Sequence, residues 1–470
     1  MQKNKIEKVL LIRPAPKTEQ FGDESFLPLG IAYVAASLEK SGYRVKVIDQ
    51  LIQKTSDDDL FAFINEFGPD AVGFTAVTPV IKSAYRIAGK IKQRHPDIIT
   101  VIGGPHATAM PEECLENNID FVVQGEGEET ITSLLASLDK PENVKGISYM
   151  KSGRAYSTKP CEFIKNLDDL PFPARHLFPS LEMYRGQEAL GSLTPVGSIM
   201  TSRGCPYACK FCFKAVFGNR FRARSADSVL AEWLHLINIY SAREIAVVDD
   251  SFTTDTSRVH KICDGLIKAG TRTRWSCPNG IRVDLGDYEM LKKMRRAGCY
   301  RVALGIESGS QKILDAIGKK ITLRQIEDTV KNCRRAGIKT MGFYMLGNLG
   351  ETRETMEETI QFAKKVRTDY AQFLIAIPYP GTALYDEISK NGKLYIEDWD
   401  QYGQYEASAC FEYGALNPAL LSEMSKKAEK DYYLSPSYII RQLFNTETYR
   451  FLPRRIKAAA RVMFRTKKTN

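Results

Sequence analysis

Nowhere in its 470 residues does the sequence contain a run of eighteen or more apolar residues, so no segment is fit to span a membrane as a helix. We expect no secretory leader in the first residues either. In MQKNKIEKVLLIRPAP the apolar stretch is only about five residues long and runs into Arg13 and Pro14, which suits a first β-strand. We therefore expect a cytoplasmic protein. Paired cysteines are also lacking. The ten cysteines are scattered apart from one cluster, which excludes a disulfide framework. Cys114, Cys263, Cys299 and Cys333 fit buried free thiols. What is present is ordinary in bulk: 43% hydrophobic and 26% charged residues describe a soluble globular chain, long enough for two or three domains.

The one cluster is TSRGCPYACKFCF, residues 201–213, with Cys205, Cys209 and Cys212. Two thiolates would suggest a redox pair, and four a closed metal site. Iron–sulfur clusters of the 4Fe–4S type take one Cys per iron. Three Cys would leave one iron open to a small molecule, as a catalytic zinc keeps a free position. Phe211 and Phe213 flank the last Cys and can shield such a centre from water. Zinc is a rival occupant, although the nearest histidine is His235; plain packing is a second rival.

The first 145 residues alternate strand-like runs (9–15, 45–50, 71–77, 100–107 and 121–127) with stretches apolar at three- and four-residue spacing. Repeated βα units predict a doubly wound, Rossmann-like parallel sheet with helices on both faces. Its ligand would lie beyond the carboxyl ends of the strands, at FTAVTP (74–79), GGPHAT (103–108) and QGEGEE (124–129). Residues 146–190 lose this rhythm, are rich in proline around NLDDLPFPARHLFP, and read as a linker. A second βα series fills 191–395, with strands expected at 197–204, 244–252, 274–283, 301–309, 339–348 and 371–381. Six such units predict a partial (β/α)6 barrel, short of the eight in a closed one, again with its site at the carboxyl ends. Residues 396–470 form a C-terminal region that we expect to be helical from about 398 to 433. There Trp399, Tyr402, Tyr405, Phe411 and Tyr413 would close the barrel mouth.

The cysteine loop TSRGCPYACKFC resembles the signature of the radical S-adenosylmethionine (radical SAM) superfamily. VVDDSF (247–252), LGIESGS (304–310), MLGNLGETRET (345–355) and IPYPGTALY (377–385) resemble its later strand endings in order, although Asn348 and Leu349 replace a usual Pro-bearing turn. PLGIAYVAASLEKSGYRVKVID with FTAVTP, GGPHAT and GEGEET resembles the cobalamin-binding domain that precedes one branch of these cores. The Asp-x-His-x-x-Gly motif, whose His ligates cobalt in many cobalamin proteins, is absent, as it is in many members of this branch. The resemblance implies three cofactors: a 4Fe–4S cluster on Cys205, Cys209 and Cys212, S-adenosylmethionine, and cobalamin. It implies S-adenosylmethionine contacts from Phe211, Asp249, Asp250, Ser276, Asn279, Arg282 and Glu307. Asp249 or Asp250 would meet the amino group, and Glu307 the ribose. For cobalamin it implies Thr75, Val77, Thr78, Gly103, Gly104, Pro105, His106, Gln124, Gly125 and Glu126.

The implied chemistry is reductive cleavage of S-adenosylmethionine to a 5′-deoxyadenosyl radical, then methyl transfer to an unactivated carbon, with cobalamin as the methyl store. The substrate would be a small or lipid-like molecule, and the electron would come from a reduced flavodoxin- or ferredoxin-type donor. Two rivals stand beside this reading: a radical cyclase or oxidoreductase with the same cofactors, and a non-catalytic cobalamin- or metal-binding protein. From Arg441 onward nine Lys or Arg face the single acid Glu447. RRIKAAARVMFRTKK fits a basic amphipathic helix, suited to the inner face of an anionic membrane. A solvated tail is the alternative, and no accessory motif supports nucleic acid.

Overall fold

The computed structural model describes residues 6–16, 25–187, 190–395, 398–402 and 410–443. The first sheet contains β1 (Lys8–Arg13), β2 (Arg44–Asp49), β3 (Ala71–Thr75), β4 (Ile99–Gly103), β5 (Phe121–Val123), β6 (Ile147–Lys151) and β7 (Arg154–Ser157). Its order is β2-β1-β3-β4-β5-β6-β7. The five leading strands run parallel, as the βα rhythm predicts. Their helices begin and end where the chain signals it. Ser56 caps helix Asp57–Phe67 by accepting from the Asp59 N–H, three aspartates fill its first turn, and Gly68 closes it at φ 60°.

One boundary needs correction. Residues 147–157, placed by the sequence in the linker, form a hairpin on the edge of this sheet. The edge of β5 needs a partner for its N–H and C=O groups. Ile147, Ser148 and Tyr149 supply one by pairing antiparallel with Val123, Val122 and Phe121. The hairpin eluded pattern reading because β7 is exposed throughout and so carries no apolar alternation. From 158 onward the chain crosses to the second half through short 3-10 turns, in keeping with its prolines.

The second half holds β8 (Val196–Ile199), β9 (Ser202–Arg203), β10 (Arg222–Ala223), β11 (Glu244–Val247), β12 (Arg274–Ile281), β13 (Cys299–Glu307), β14 (Lys339–Leu346) and β15 (Tyr370–Ile375). The sheet order β15-β14-β13-β12-β11-β8 follows the chain without a swap, and every pairing is parallel. That is a six-unit partial barrel. β9 and β10 pair antiparallel instead and pin the base of the loop that carries the three cysteines.

The C-terminal region departs from the expected helix. A short ladder, β16 (Lys393–Leu394) with β17 (Phe411–Glu412), precedes a helix that starts only at Pro418, where Asn417 accepts from the Leu420 N–H. The aromatic residues pulled the expectation forward; the Asn-Pro cap sets the true start. Tyr432 and Tyr433 at the end of this helix donate to the carbonyls of Thr368 and Ala371, both at 2.5 Å, and so seal the β15 edge. Tyr405 and the basic stretch from 444 to 470 lie outside the described residues. Among the described residues no helix is long and apolar enough to cross a membrane.

Candidate functional site

The carboxyl ends of the two sheets face one continuous cavity of about 1100 Å³, larger than the ~300–1,000 Å³ of an ordinary single-ligand site. Gly73, Gly103, Gly104 and Gly125 line it from the first domain; Cys205, Phe211, Cys212, Asp250, Asn279 and Glu307 line it from the second.

The cysteine loop is positioned from several sides. Gly204 sits at φ 78°, and a Cβ there would lie 2.3 Å from the Arg220 carbonyl, so only glycine fits. Its N–H donates to Asp250 Oδ2 at 3.1 Å. The Lys210 N–H donates to the Ile317 carbonyl, and the Cys212 N–H to that of Cys209. Among the described residues no three Cys, His, Asp or Glu side chains converge as a closed metal site. Among the described residues no hydrogen bond fixes the three sulfurs, and Cys205 and Cys212 line the cavity while Cys209 sits behind them in the same loop. Burial raises the thiols of Cys209 and Cys212, the latter to about 12 with Cys209 and Glu307 adding to the rise. The protein alone therefore does not favour ionising Cys209 and Cys212; a bound metal centre would.

The two aspartates separate. Asp249 is buried and committed, accepting from the Thr201 N–H at 2.5 Å and from the hydroxyls of Thr201 and Ser202. Asp250 opens onto the cavity. Asn279 also lines the cavity and donates to the Val248 carbonyl at 2.8 Å. Ser276 does not reach the site. It is the third residue of the eight in β12 and bonds Glu244 at 3.4 Å; the sequence placed it at a strand end that lies further on. Arg282 is likewise not a cavity residue. Its guanidinium grips Asp284 at 2.9 and 3.0 Å and lies 3.4 Å over the Tyr207 ring, which braces the cysteine loop from behind.

Glu307 stands at φ 65°, a backbone conformation uncommon outside glycine and frequent at functional sites. Its carboxylate pairs with Lys319 Nζ at 2.7 Å, not with Arg282 or Arg301. The pair crosses directly over Gly305, where a Cβ would come within 2.8 Å of both partners. Lys319 escaped the sequence reading; the run GKK gives no sign that one lysine is buried.

On the first domain's side, Gly104 sits at φ 103° and a Cβ there would stand 2.9 Å from the Ala76 carbonyl. Thr75 and Pro105 line the cavity beside it. Val77, Thr78, His106 and Gln124 are not on the cavity wall. Val77 is exposed and lies off the cavity wall. His106 turns inward, with Nδ1 3.1 Å from the Thr78 hydroxyl, Nε2 3.5 Å from Glu113 Oε1, and its ring edge-on to Trp399. Gln124 accepts from the Ser148 hydroxyl on β6. For His106 and Gln124 the physical cause is shared: backbones at the strand ends border the cavity, while their hydrogen bonds go to partners in their own domain. Thr78, spent on His106, follows the same rule. Glu126 borders the cavity but is fully paired, with Arg203 at 2.7 Å, Arg222 at 2.8 Å and the Ile164 N–H at 2.9 Å.

The GET segment has a scaffold role. Glu351 accepts from the N–H groups of Gly347 and Asn348 at 2.6 and 2.8 Å, and its other oxygen is buried without a partner. Burial outweighs both donors and lifts the carboxyl to about 7 from its ordinary 4.5. Because the folded value is raised, its contribution is complete below pH 4.5 and is lost as pH climbs to about 7. Glu351→Gln should therefore flatten the stability profile across that window. By denaturant titration, wild type should lose roughly 3 kcal/mol relative to the variant.

These features define a radical SAM core joined to a cobalamin-binding domain. The B12 binding domain model matches residues 24–135 and the Radical SAM superfamily model residues 199–363. An uncharacterized methyltransferase of Pyrococcus horikoshii is 35% identical over 98% of this chain and 99% of its own length. The cytidylyl-2-hydroxyethylphosphonate methyltransferase of Streptomyces wedmorensis is 28% identical over 91% of this chain and 90% of its own. The anaerobic magnesium-protoporphyrin IX monomethyl ester cyclase of Rubrivivax gelatinosus is 29% identical over 80% and 68%. The radical SAM methyltransferase TsrM of Kitasatospora setae, solved with tryptophan and an S-adenosylmethionine analogue, shares the fold at a TM-score of 0.71 over 89% of each chain and 19% identity. The protein belongs to the family of cobalamin-binding radical SAM methyltransferases, whose cofactors are S-adenosylmethionine, a 4Fe–4S cluster and cobalamin.

Proposed function

We propose that the protein methylates an unactivated carbon of a neutral, predominantly apolar metabolite. The observation that carries this reading is the barrel-side wall of the cavity. β14 and β15 turn Phe343, Met345, Leu374 and Ile375 toward it, with Ile377 and Tyr379 above. The charges on the cavity wall lie elsewhere, and among them only Lys214, beside the cysteine loop, has no ion-pair or backbone N–H partner among the described residues. Arg203 is paired with Glu126 and Glu128, and Glu307 with Lys319. Lys214 donates to the Cys205 carbonyl, and Asp250 accepts from Gly204. A phosphorylated or carboxylated substrate would need an uncommitted cation; an apolar one is held by burial alone.

The residues divide the labour. Cys205, Cys209 and Cys212 would hold the cluster, with Phe211 and Phe213 keeping water from it. Asp250 would receive the amino group of S-adenosylmethionine, and Glu307, steadied by Lys319, its ribose. The glycines at 103, 104 and 125 would let the corrin approach the backbone. When bound, the cofactors supply radical generation and the methyl group. The protein supplies placement and a dry cavity. A net charge of +10 favours an acidic flavodoxin- or ferredoxin-type electron donor.

The test is product stoichiometry. Enzyme loaded anaerobically with iron and cobalamin is given a reductant, S-adenosylmethionine and neutral lipid extract, and both nucleoside products are quantified. S-adenosylhomocysteine and 5′-deoxyadenosine in equal amounts, rising with extract, are expected. 5′-Deoxyadenosine alone would favour the cyclase or oxidoreductase reading, and neither product the non-catalytic one.

A further inference from the structure

The helix that closes the described chain, Pro436–Leu443, turns a face outward that no other described residue covers. Ile439 and Ile440 on it are 45% and 55% exposed, and Leu434 just before it is 49% exposed. The opposite face is packed: Tyr438 stacks edge-on against Tyr433, 4.9 Å between centroids. Isolated exposed apolar residues need no explanation, but two on one short helix with a third just before it do.

Beside this face lies positive charge. Arg367 occupies the left-handed turn that ends helix Arg353–Val366. Its carbonyl accepts from Arg334 at 3.1 Å and from Arg441 at 2.8 Å. Two guanidinium groups thus meet at the backbone of a third arginine. Among the described residues none of the three has a carboxylate within ion-pair distance. The nearby acids are engaged elsewhere: Asp369 with Lys339 at 3.3 Å, and Asp431 with Lys427 at 2.5 Å. Like charges this close repel, and an anionic surface would relieve them. The sequence beyond Leu443 adds eight further Lys or Arg against Glu447.

We infer that the face formed by Leu434, Ile439 and Ile440 with Arg334, Arg367 and Arg441 seats the protein on an anionic lipid surface. Apolar side chains flanked by arginines match the division of a bilayer interface, where hydrocarbon lies beneath a plane of phosphate. A second copy of the chain matches less well, because it would bring the three arginines against three more. The inference does not depend on which carbon is methylated.

The test is sedimentation of the full-length chain with vesicles, either pure phosphatidylcholine or half phosphatidylglycerol, at low and high salt. Binding only to the anionic vesicles, weakened by salt, is expected. Arg334→Gln and Arg367→Gln should each weaken that binding roughly fivefold, and Ile439→Ser with Ile440→Ser should abolish it, with circular dichroism unchanged. Light scattering without lipid should report a monomer. Equal binding to both vesicle types would overturn the inference. So would a dimer dissolved by the isoleucine substitutions, or binding that survives all four substitutions and is lost only when residues 444–470 are removed.

Discussion

Cys205→Ala, Cys209→Ala or Cys212→Ala is expected to leave a folded protein that holds no cluster and no longer cleaves S-adenosylmethionine. Three thiolates are the smallest set that can hold a 4Fe–4S centre with one iron open, so no single loss is tolerated. The fold should survive because the loop is anchored independently of its sulfurs, by the β9–β10 pair, by Gly204 against Arg220 and by Lys210 against Ile317. Reconstituted wild type should carry roughly four irons per chain, and each variant close to none, with 5′-deoxyadenosine formation undetectable. Cys333→Ala is the control. Its thiol is buried between helix and sheet, pushed up to about 12, and removing it should leave iron content intact. Zinc in place of iron in the wild type would count against the radical reading as a whole.

Arg203→Ala is expected to cost about 3–5 kcal/mol, the range for breaking a buried ion pair from one side. Arg203 is 3% exposed, reaches Glu126 at 2.7 Å and also Glu128, and is flanked by the rings of Tyr33 and Phe217 at 5.1 Å. Truncation strands two buried carboxylates belonging to the first domain, and Arg222 can rescue only Glu126. The pairs join the domains, so urea unfolding should split from one transition into two, and fluorescence and circular dichroism should cease to coincide. Arg203→Met combined with Glu126→Gln and Glu128→Gln should cost less than the single truncation, because no unpaired charge stays buried. An Arg203→Ala protein as stable as wild type would show that the domains are held by packing alone.

The elements of chemistry were legible in the sequence where they depend on the order of residues along a strand or loop. The cysteine spacing, the six consecutive βα units and the glycines at the ends of β4 and β5 belong to this kind. What stayed hidden depends on where a side chain turns. Asp249 and Asp250 are neighbours in one motif, yet one is locked under Thr201 and Ser202 and the other meets the cavity. His106 sits in the right loop and faces Trp399, whose indole N–H reaches both oxygens of Glu113 at 2.9 Å from 286 residues away. Lys319 and Arg203 are invisible for the same reason. A basic residue is read as solvated until the carboxylate that buries it is known, and that partner comes from distant sequence.

The shared cavity carries a thermodynamic consequence. Neither half encloses it, so ligands that rest on both walls bind the joined molecule and not its parts. A ligand that touches both walls favours their joined arrangement, so occupancy by one cofactor is expected to raise affinity for the other, and by reciprocity the converse would hold by the same factor. Each ligand also protects the chain against unfolding in proportion to the logarithm of its concentration over its dissociation constant. Scarcity of one cofactor therefore weakens retention of the other, and the two should be gained and lost together.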